Sequence, residues 1–221
     1  MTYEKKPFYA SKTAIYDWLY SSYGQKYCRH LLSKRYNKRK RRGKKQKRQM
    51  IPDRISIHDR GEMGYRDYEG DTIVSKKNTV SIVTVYGPVN MYLDARKILN
   101  LKPVITAKAF KSMFEKVKVN SMTLDNGQEN KLHKNIGIKT YFCDAYASWQ
   151  KPGIENANKL IRRHIPKGSN ISEFSHQYIS WIVRRYNNMP RKKLGWMIPN
   201  EVMRKKKLFK KEKRPRIRSM Q

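Results

Sequence analysis

Apolar positions along this chain change period several times, and the changes divide it into elements. Ile15, Trp18 and Leu19 recur at helical spacing within residues 11–20, with Ser11 placed to cap the helix and Gly24 to break it. Tyr27, Leu31 and Leu32 form a second short helical pattern. Strand-like runs begin after Tyr65. Ile73-Val74 and Val80 to Tyr86 read as two strands, the second apolar enough to be central. Ser75-Lys76-Lys77-Asn78 between them suits a hairpin turn, which would make the pair antiparallel. A third strand is expected over Asn90 to Ala95. A helix over 106–116, capped by Thr106, would put Phe110, Met113, Phe114 and Val117 on one stripe. Ser121 to Leu124 and Ile138 to Phe142 read as strands that deliver Asp125 and Asp144. The rest is helical: Glu155 to about Arg163, then a longer helix capped by Ser172 with Phe174, Tyr178, Trp181, Ile182 and Arg185 along one side.

Strands separated by helices predict a mixed α/β layer rather than an all-helical or all-β fold. The 221 residues suffice for one core plus appended segments. The expected divisions are a short helical segment over 1–33, a basic linker or arm over 34–64, an α/β core over 65–203 and a basic tail over 204–221.

Charge adds a partner. Fifty-one Lys and Arg against 17 Asp and Glu give a formal net charge of +34. Such a surface repels itself until a polyanion neutralises it, which points to nucleic acid, with ribosomal or anionic-membrane surfaces sharing the same charge logic. Lys38, Arg39, Lys40, Arg41, Arg42, Lys44 and Lys45 lie in a stretch almost without apolar residues. It reads as an arm that tracks phosphates without reading bases, or else as a solvated linker. No apolar run is long enough to span a bilayer and no signal-peptide pattern opens the chain, so a cytoplasmic, nucleoid-associated protein is expected. Cys28 and Cys143 have no metal or redox spacing and read as reduced thiols.

The candidate chemistry lies in three acids at the edges of ordered elements: Asp71 in a strand, Asp125 at a strand end and Glu155 opening a helix. Phosphodiester transfer needs an in-line nucleophile, a stabilised leaving oxygen and neutralised charge, which two divalent ions roughly 4 Å apart can supply. Asp71 could bridge both ions while Asp125 and Glu155 hold one each, and carboxylates suit Mg2+ or Mn2+. Each acid also has a bland reading: Asp71 as a strand-end acid, Asp125 as a turn former before Asn126-Gly127, Glu155 as a residue favoured by the helix dipole. Asn158, Lys159, Arg162 and Arg163 follow Glu155 on its helix and could touch flanking phosphates, or simply form a solvated basic face. His133 and His164 are expected to have no catalytic role, and Trp149 is expected to pack its loop.

Several segments resemble the DDE-type bacterial insertion-sequence transposases of the IS-thirty family. They are Glu69-Gly70-Asp71-Thr72-Ile73, Thr123 to Glu129, Tyr141 to Gln150, Glu155 to Arg162, Pro166-Lys167-Gly168 and Asn187 to Trp196. The likeness runs from about residue 11 to 203. It implies a ribonuclease-H-like mixed sheet flanked by helices, and DNA nicking and joining by Asp71, Asp125 and Glu155 with magnesium. The implied partners are double-stranded DNA, as element ends and target, and further copies of the chain on that DNA. The helix-turn-helix region with which the family usually begins is expected to be missing, with residues 11–32 as the tail of its DNA-binding part. Only 29 residues separate Asp125 from Glu155, shorter than the family's habit, and Tyr68, Ala145, Ala147 and Pro152 replace its usual Trp, Pro, Pro and Gly. A truncated copy that binds DNA without catalysis is the alternative reading.

Overall fold

Strand Ser81–Tyr86 is buried at every position, so both faces of the sheet it belongs to must be covered. The structure, a computed structural model, describes residues 10–31, 51–75 and 80–210. The chain divides into two units, Met1–Arg48 and Gln49–Gln221. In the first, helix α1 (Lys12–Leu19) is capped by the Ser11 hydroxyl, which accepts the Ala14 N–H at 3.1 Å. A 3-10 turn over Gln25–His30 follows, with Trp18 stacked on Tyr27 at 5.5 Å between ring centroids. The expected apolar face of α1 stays half exposed at Ile15 and Trp18.

The second unit is built on six strands: β1 (Ile55–Ser56), β2 (Asp67–Val74), β3 (Ser81–Tyr86), β4 (Leu93–Ile98), β5 (Ser121–Leu124) and β6 (Lys139–Phe142). Their order across the sheet is β1-β6-β5-β2-β3-β4. β2, β3 and β4 form an antiparallel meander, and β5 pairs parallel to β2. β6 then pairs parallel to β5, and β1 to β6. The hairpin turn expected between β2 and β3 falls partly on 76–79, outside the described residues.

Alternation along the strands explains the two layers. Val83 and Val85 face helix α2 (Pro103–Met113), packing with Tyr68, Phe110, Met113, Met122 and Leu124. Ile82, Tyr86 and Ile73 face the other way, against α3 (Pro152–His164) and α4 (His176–Asn187) through Ile154, Ile161, Ile179 and Ile182. The result is a three-layer α/β sandwich. None of the helices among the described residues is long and apolar enough to cross a membrane.

Several boundaries differ from the sequence reading, each for a local reason. β2 starts at Asp67 because its polar residues Glu69 and Asp71 alternate with Tyr68 and Gly70 and still join the ladder. β4 runs three residues later than expected. Helix α2 begins at Pro103, whose fixed φ suits a first helical position, and Thr106 is a buried residue of its first turn rather than its cap. Pro152 likewise opens α3 ahead of Glu155. Ser175, not Ser172, caps α4, accepting the Tyr178 N–H at 3.0 Å. β1 lies in the segment read as basic linker or arm. The first part of the expected basic tail is packed: after α5 (Pro199–Lys205), Leu208 is buried, and Phe209 bridges to Val117 and meets Tyr92 edge-on.

Asn187 closes the sheet at β4. Its side-chain amide receives the Leu93 N–H at 2.9 Å and donates to the Leu93 carbonyl at 2.7 Å, completing a backbone edge that no strand covers among the described residues. Asn187→Ala leaves both buried groups without partners and is predicted to cost about 2–4 kcal/mol, read as a lowered denaturant midpoint. A change within about 0.5 kcal/mol contradicts that role.

Candidate active site

Parallel register brings the first two acids together. Glu69 pairs with Thr123 across β2 and β5, and the same offset carried two places further sets Asp71 level with Asp125. Paired residues of parallel strands share a face, so both carboxylates rise on the α3 side. Gly70, between Glu69 and Asp71 in sequence, points to the opposite face. A Cβ there would stand 1.9 Å from Met122 Cε and 2.8 Å from Leu124 Cδ2, so close packing under the site excludes a side chain.

Helix α3 is anchored over this pair by Glu69. Its carboxylate is 3% exposed and accepts the Ile154 N–H at 2.7 Å, in the first turn, where the helix dipole favours negative charge. Gly153 permits the approach: a Cβ would lie 2.6 Å from the Tyr86 ring. One turn further along, Asn158 Nδ2 donates to Asp71 Oδ2 at 2.7 Å, and its own Oδ1 is buried without a partner. Lys151, just before the helix, donates to the Gly70 carbonyl at 2.8 Å and stands 3.9 Å from Asp71 Oδ1. Asp125 is held by the Gly127 N–H at 3.0 Å and Asn130 Nδ2 at 2.9 Å, both on Oδ1. This is an Asx turn, and it fixes the carboxylate at the strand end.

Burial dominates the electrostatics. It pushes the carboxyls of Asp71, Glu69 and Glu129 above their ordinary range, while Lys151 pulls each back; Asp125 pushes Asp71 up further. Burial also drives the Cys143 thiol up to about 11, which leaves it protonated and unsuited to nucleophilic work. Asp144 is different: hydrogen bonds from His58 and Gln150 hold its pKa down.

The sequence-predicted residues therefore separate. Asp71 and Asp125 are brought together, and Glu155 sits on α3 one turn before Asn158. Among the described residues, no three His, Cys, Asp or Glu side chains are gathered closely enough to hold a metal ion, so the three acids are not closed into one ligand set. Asn158 turns inward to Asp71. Arg162 donates to the carbonyls of Val74 at 3.1 Å and Pro166 at 3.3 Å, whereas Lys159 and Arg163 are exposed. The arm residues Lys38, Arg39, Lys40, Arg41, Arg42, Lys44 and Lys45 lie outside the described residues. His133 is bonded to Thr140 and the Pro52 carbonyl, a structural role. Trp149 is 74% exposed and does not pack its loop, which His58 and Gln150 brace through Asp144 instead. Glu69, Lys151 and Asn130 were missed. The Glu69-Gly70-Asp71 alternation carried a signal for Glu69; the other two are set by long-range packing.

The parts suit a hard cation all the same. Mg2+ is commonly held by one or two carboxylates, with water and substrate phosphate completing its shell. Two aligned carboxylates, with the orphaned Asn158 oxygen beside Asp71, match that donor chemistry.

Comparison with known proteins fits this geometry. The chain is 35% identical over 204 residues to the transposase for insertion sequence element IS4351 of Bacteroides fragilis, covering 86% of this chain and 63% of that protein. The chain is similar to bacterial insertion-sequence transposases. The transposase for insertion sequence element IS1086 of Cupriavidus metallidurans is 29% identical over 174 residues, 71% of this chain and 50% of that one. Transposase InsI for element IS30A of Escherichia coli is 29% identical over 157 residues, 67% of this chain and 40% of that one. The chain thus spans less than two thirds of each of these transposases. No protein-family model matches. The catalytic core domain of BIV integrase superposes with a TM-score of 0.51 at 16% identity, over 65% of this chain and 97% of that domain, which establishes the ribonuclease-H-like integrase-core fold.

The raised carboxyls make a signed prediction. A folded-state pKa above the unfolded value stabilises fully below the ordinary carboxylate range, about 4, and that contribution is lost as pH rises through the raised value. In chelator at pH 7, Asp71→Asn should therefore melt higher than wild type, with the advantage fading toward about pH 4. Thermal denaturation at several pH values checks this; equal or lower stability of the variant at pH 7 contradicts it.

Proposed function

We propose that this chain is a divalent-metal-dependent DNA phosphoryl transferase that cleaves DNA strands and joins them to a target. The observation that carries the reading is the register that sets Asp71 and Asp125 side by side beneath the N-terminal half of α3. Bound Mg2+ or Mn2+, two ions in the full site, would polarise the scissile phosphate, activate the attacking oxygen and stabilise the leaving one.

The chain's own groups have distinct tasks. Asp71, in the middle of the sheet, offers the shared carboxylate, and Asp125 offers a second on a rigid turn. Glu155 would complete the set by turning its side chain toward the aspartates over bound DNA, while Glu69 holds the first turn of α3 in place. Asn158 orients Asp71. Lys159 and Arg163 hold flanking phosphates, and the basic arm with Lys38 to Lys45 adds sequence-independent grip. Paired cutting of two DNA ends would engage more than one copy of the chain. A second reading, DNA binding without cleavage, is favoured by one observation: the three acids are not gathered in this structure.

Two outcomes separate them. With manganese, the protein should nick supercoiled plasmid or join short pre-cut duplexes, and Asp71→Ala or Glu155→Gln should lower the rate by on the order of a thousandfold. Folded protein that binds DNA but gives no product, with no manganese bound, supports the binding-only reading. DNA affinity should also fall about a thousandfold between roughly 50 and 200 mM salt if about six phosphates are engaged. A flat profile would show that the basic segments do not contact phosphate.

A further inference from the structure

Lysine is rarely buried, because its ammonium gives up water that an interior seldom replaces. Lys151 is only 7% exposed. It occupies the residue before α3 yet caps the helix with no side-chain hydrogen bond, so its ammonium is not explained by helix chemistry. Nζ instead reaches under the helix to the Gly70 carbonyl at 2.8 Å, with Asp71 Oδ1 at 3.9 Å. That position faces Asp71, with Glu69 and Glu129 near enough to feel the same charge. The same ammonium acts on Asp71, Glu69 and Glu129, opposing in each the effect of burial. A solvated surface lysine would not couple to three carboxyls, and one needed only for packing would be served by a single partner such as the Gly70 carbonyl.

We propose that Lys151 is the resident counter-cation of the acidic centre, offsetting part of its charge while no metal is bound and competing with a divalent ion for Asp71. The proposal rests on the reading of Asp71 as a metal ligand. A carboxylate flanked by an ammonium gives up less charge to a second cation, and the two cations repel across a site that water barely screens. An entering ion must therefore displace the ammonium. Four flexible methylenes let Nζ leave Asp71 without moving α3, and a DNA phosphate oxygen is the acceptor its chemistry suits. Metal capture would then be weak in the free protein and stronger once phosphate has drawn the lysine away, which discourages reaction before DNA is in place.

The test is titration calorimetry of Mn2+ into the full chain, as wild type, Lys151→Gln, Lys151→Met and Lys151→Arg, with melting curves in chelator alongside. Lys151→Met keeps most of the stem and removes the charge, so it serves if Lys151→Gln does not fold. Expected are a lower melting temperature for the neutral variants in chelator, Mn2+ affinity raised at least about fivefold, and a larger stabilisation by Mn2+ than in wild type. Lys151→Arg should behave as wild type. A lysine that merely supports packing would not raise metal affinity when removed. Neutral variants that fold but bind Mn2+ no more tightly than wild type overturn the proposal and leave the metal reading standing. Absence of Mn2+ binding in every protein overturns both.

Discussion

The site depends on one buried hydrogen bond, from the Ile154 N–H to the Glu69 carboxylate. A carboxylate at 3% exposure must be compensated, and the N-terminus of α3 compensates it with a backbone donor and a favourable dipole. Because Glu69 is fixed in β2, the helix is fixed over β2. Asn158 then lands on Asp71, one turn along, and Lys151 lands beneath the helix against Gly70. The absent side chain of Gly153 matters for the same reason, since the Tyr86 ring would otherwise hold the helix off.

The sheet supplies the second half of the arrangement. Its strands are covered on both faces, so side chains cannot slip by one residue without moving an apolar set into the acidic layer. That makes the β2–β5 register a rigid ruler, and it sets Asp71 level with Asp125 at a place where burial disfavours the charge of Asp71. Such stored cost is common where a fold is shaped for a ligand rather than for its own stability. Here the cost is softened by Lys151 and Asn158, neither of which neutralises the site fully: Asn158 keeps one unmatched oxygen, and burial still outweighs the lysine.

Much of this was legible in the sequence, and for identifiable reasons. β3 and β5 are short apolar runs with clear ends, and the strand that delivers Asp125 is found where its pattern puts it. Asp71 and Asp125 stood out because an acid at the edge of an apolar run is conspicuous. What was hidden depends on contacts distant in sequence. Glu69 reads as an ordinary polar strand residue until α3 docks on it, and Lys151 as one basic residue among 51. Trp149 was expected to pack, yet the brace of Asp144 by His58 and Gln150 leaves the ring exposed. Leu208 and Phe209 were masked by surrounding lysines, although two apolar residues suffice to pin a basic segment to a core.

The most direct test of the metal-centred account is a crystal structure of the protein soaked in manganese, read by anomalous scattering. The account predicts a peak coordinated by oxygens of both Asp71 and Asp125, with Glu155 drawn toward it when DNA is also bound. Manganese found elsewhere, or no peak beside an ordered and unobstructed aspartate pair, would contradict it.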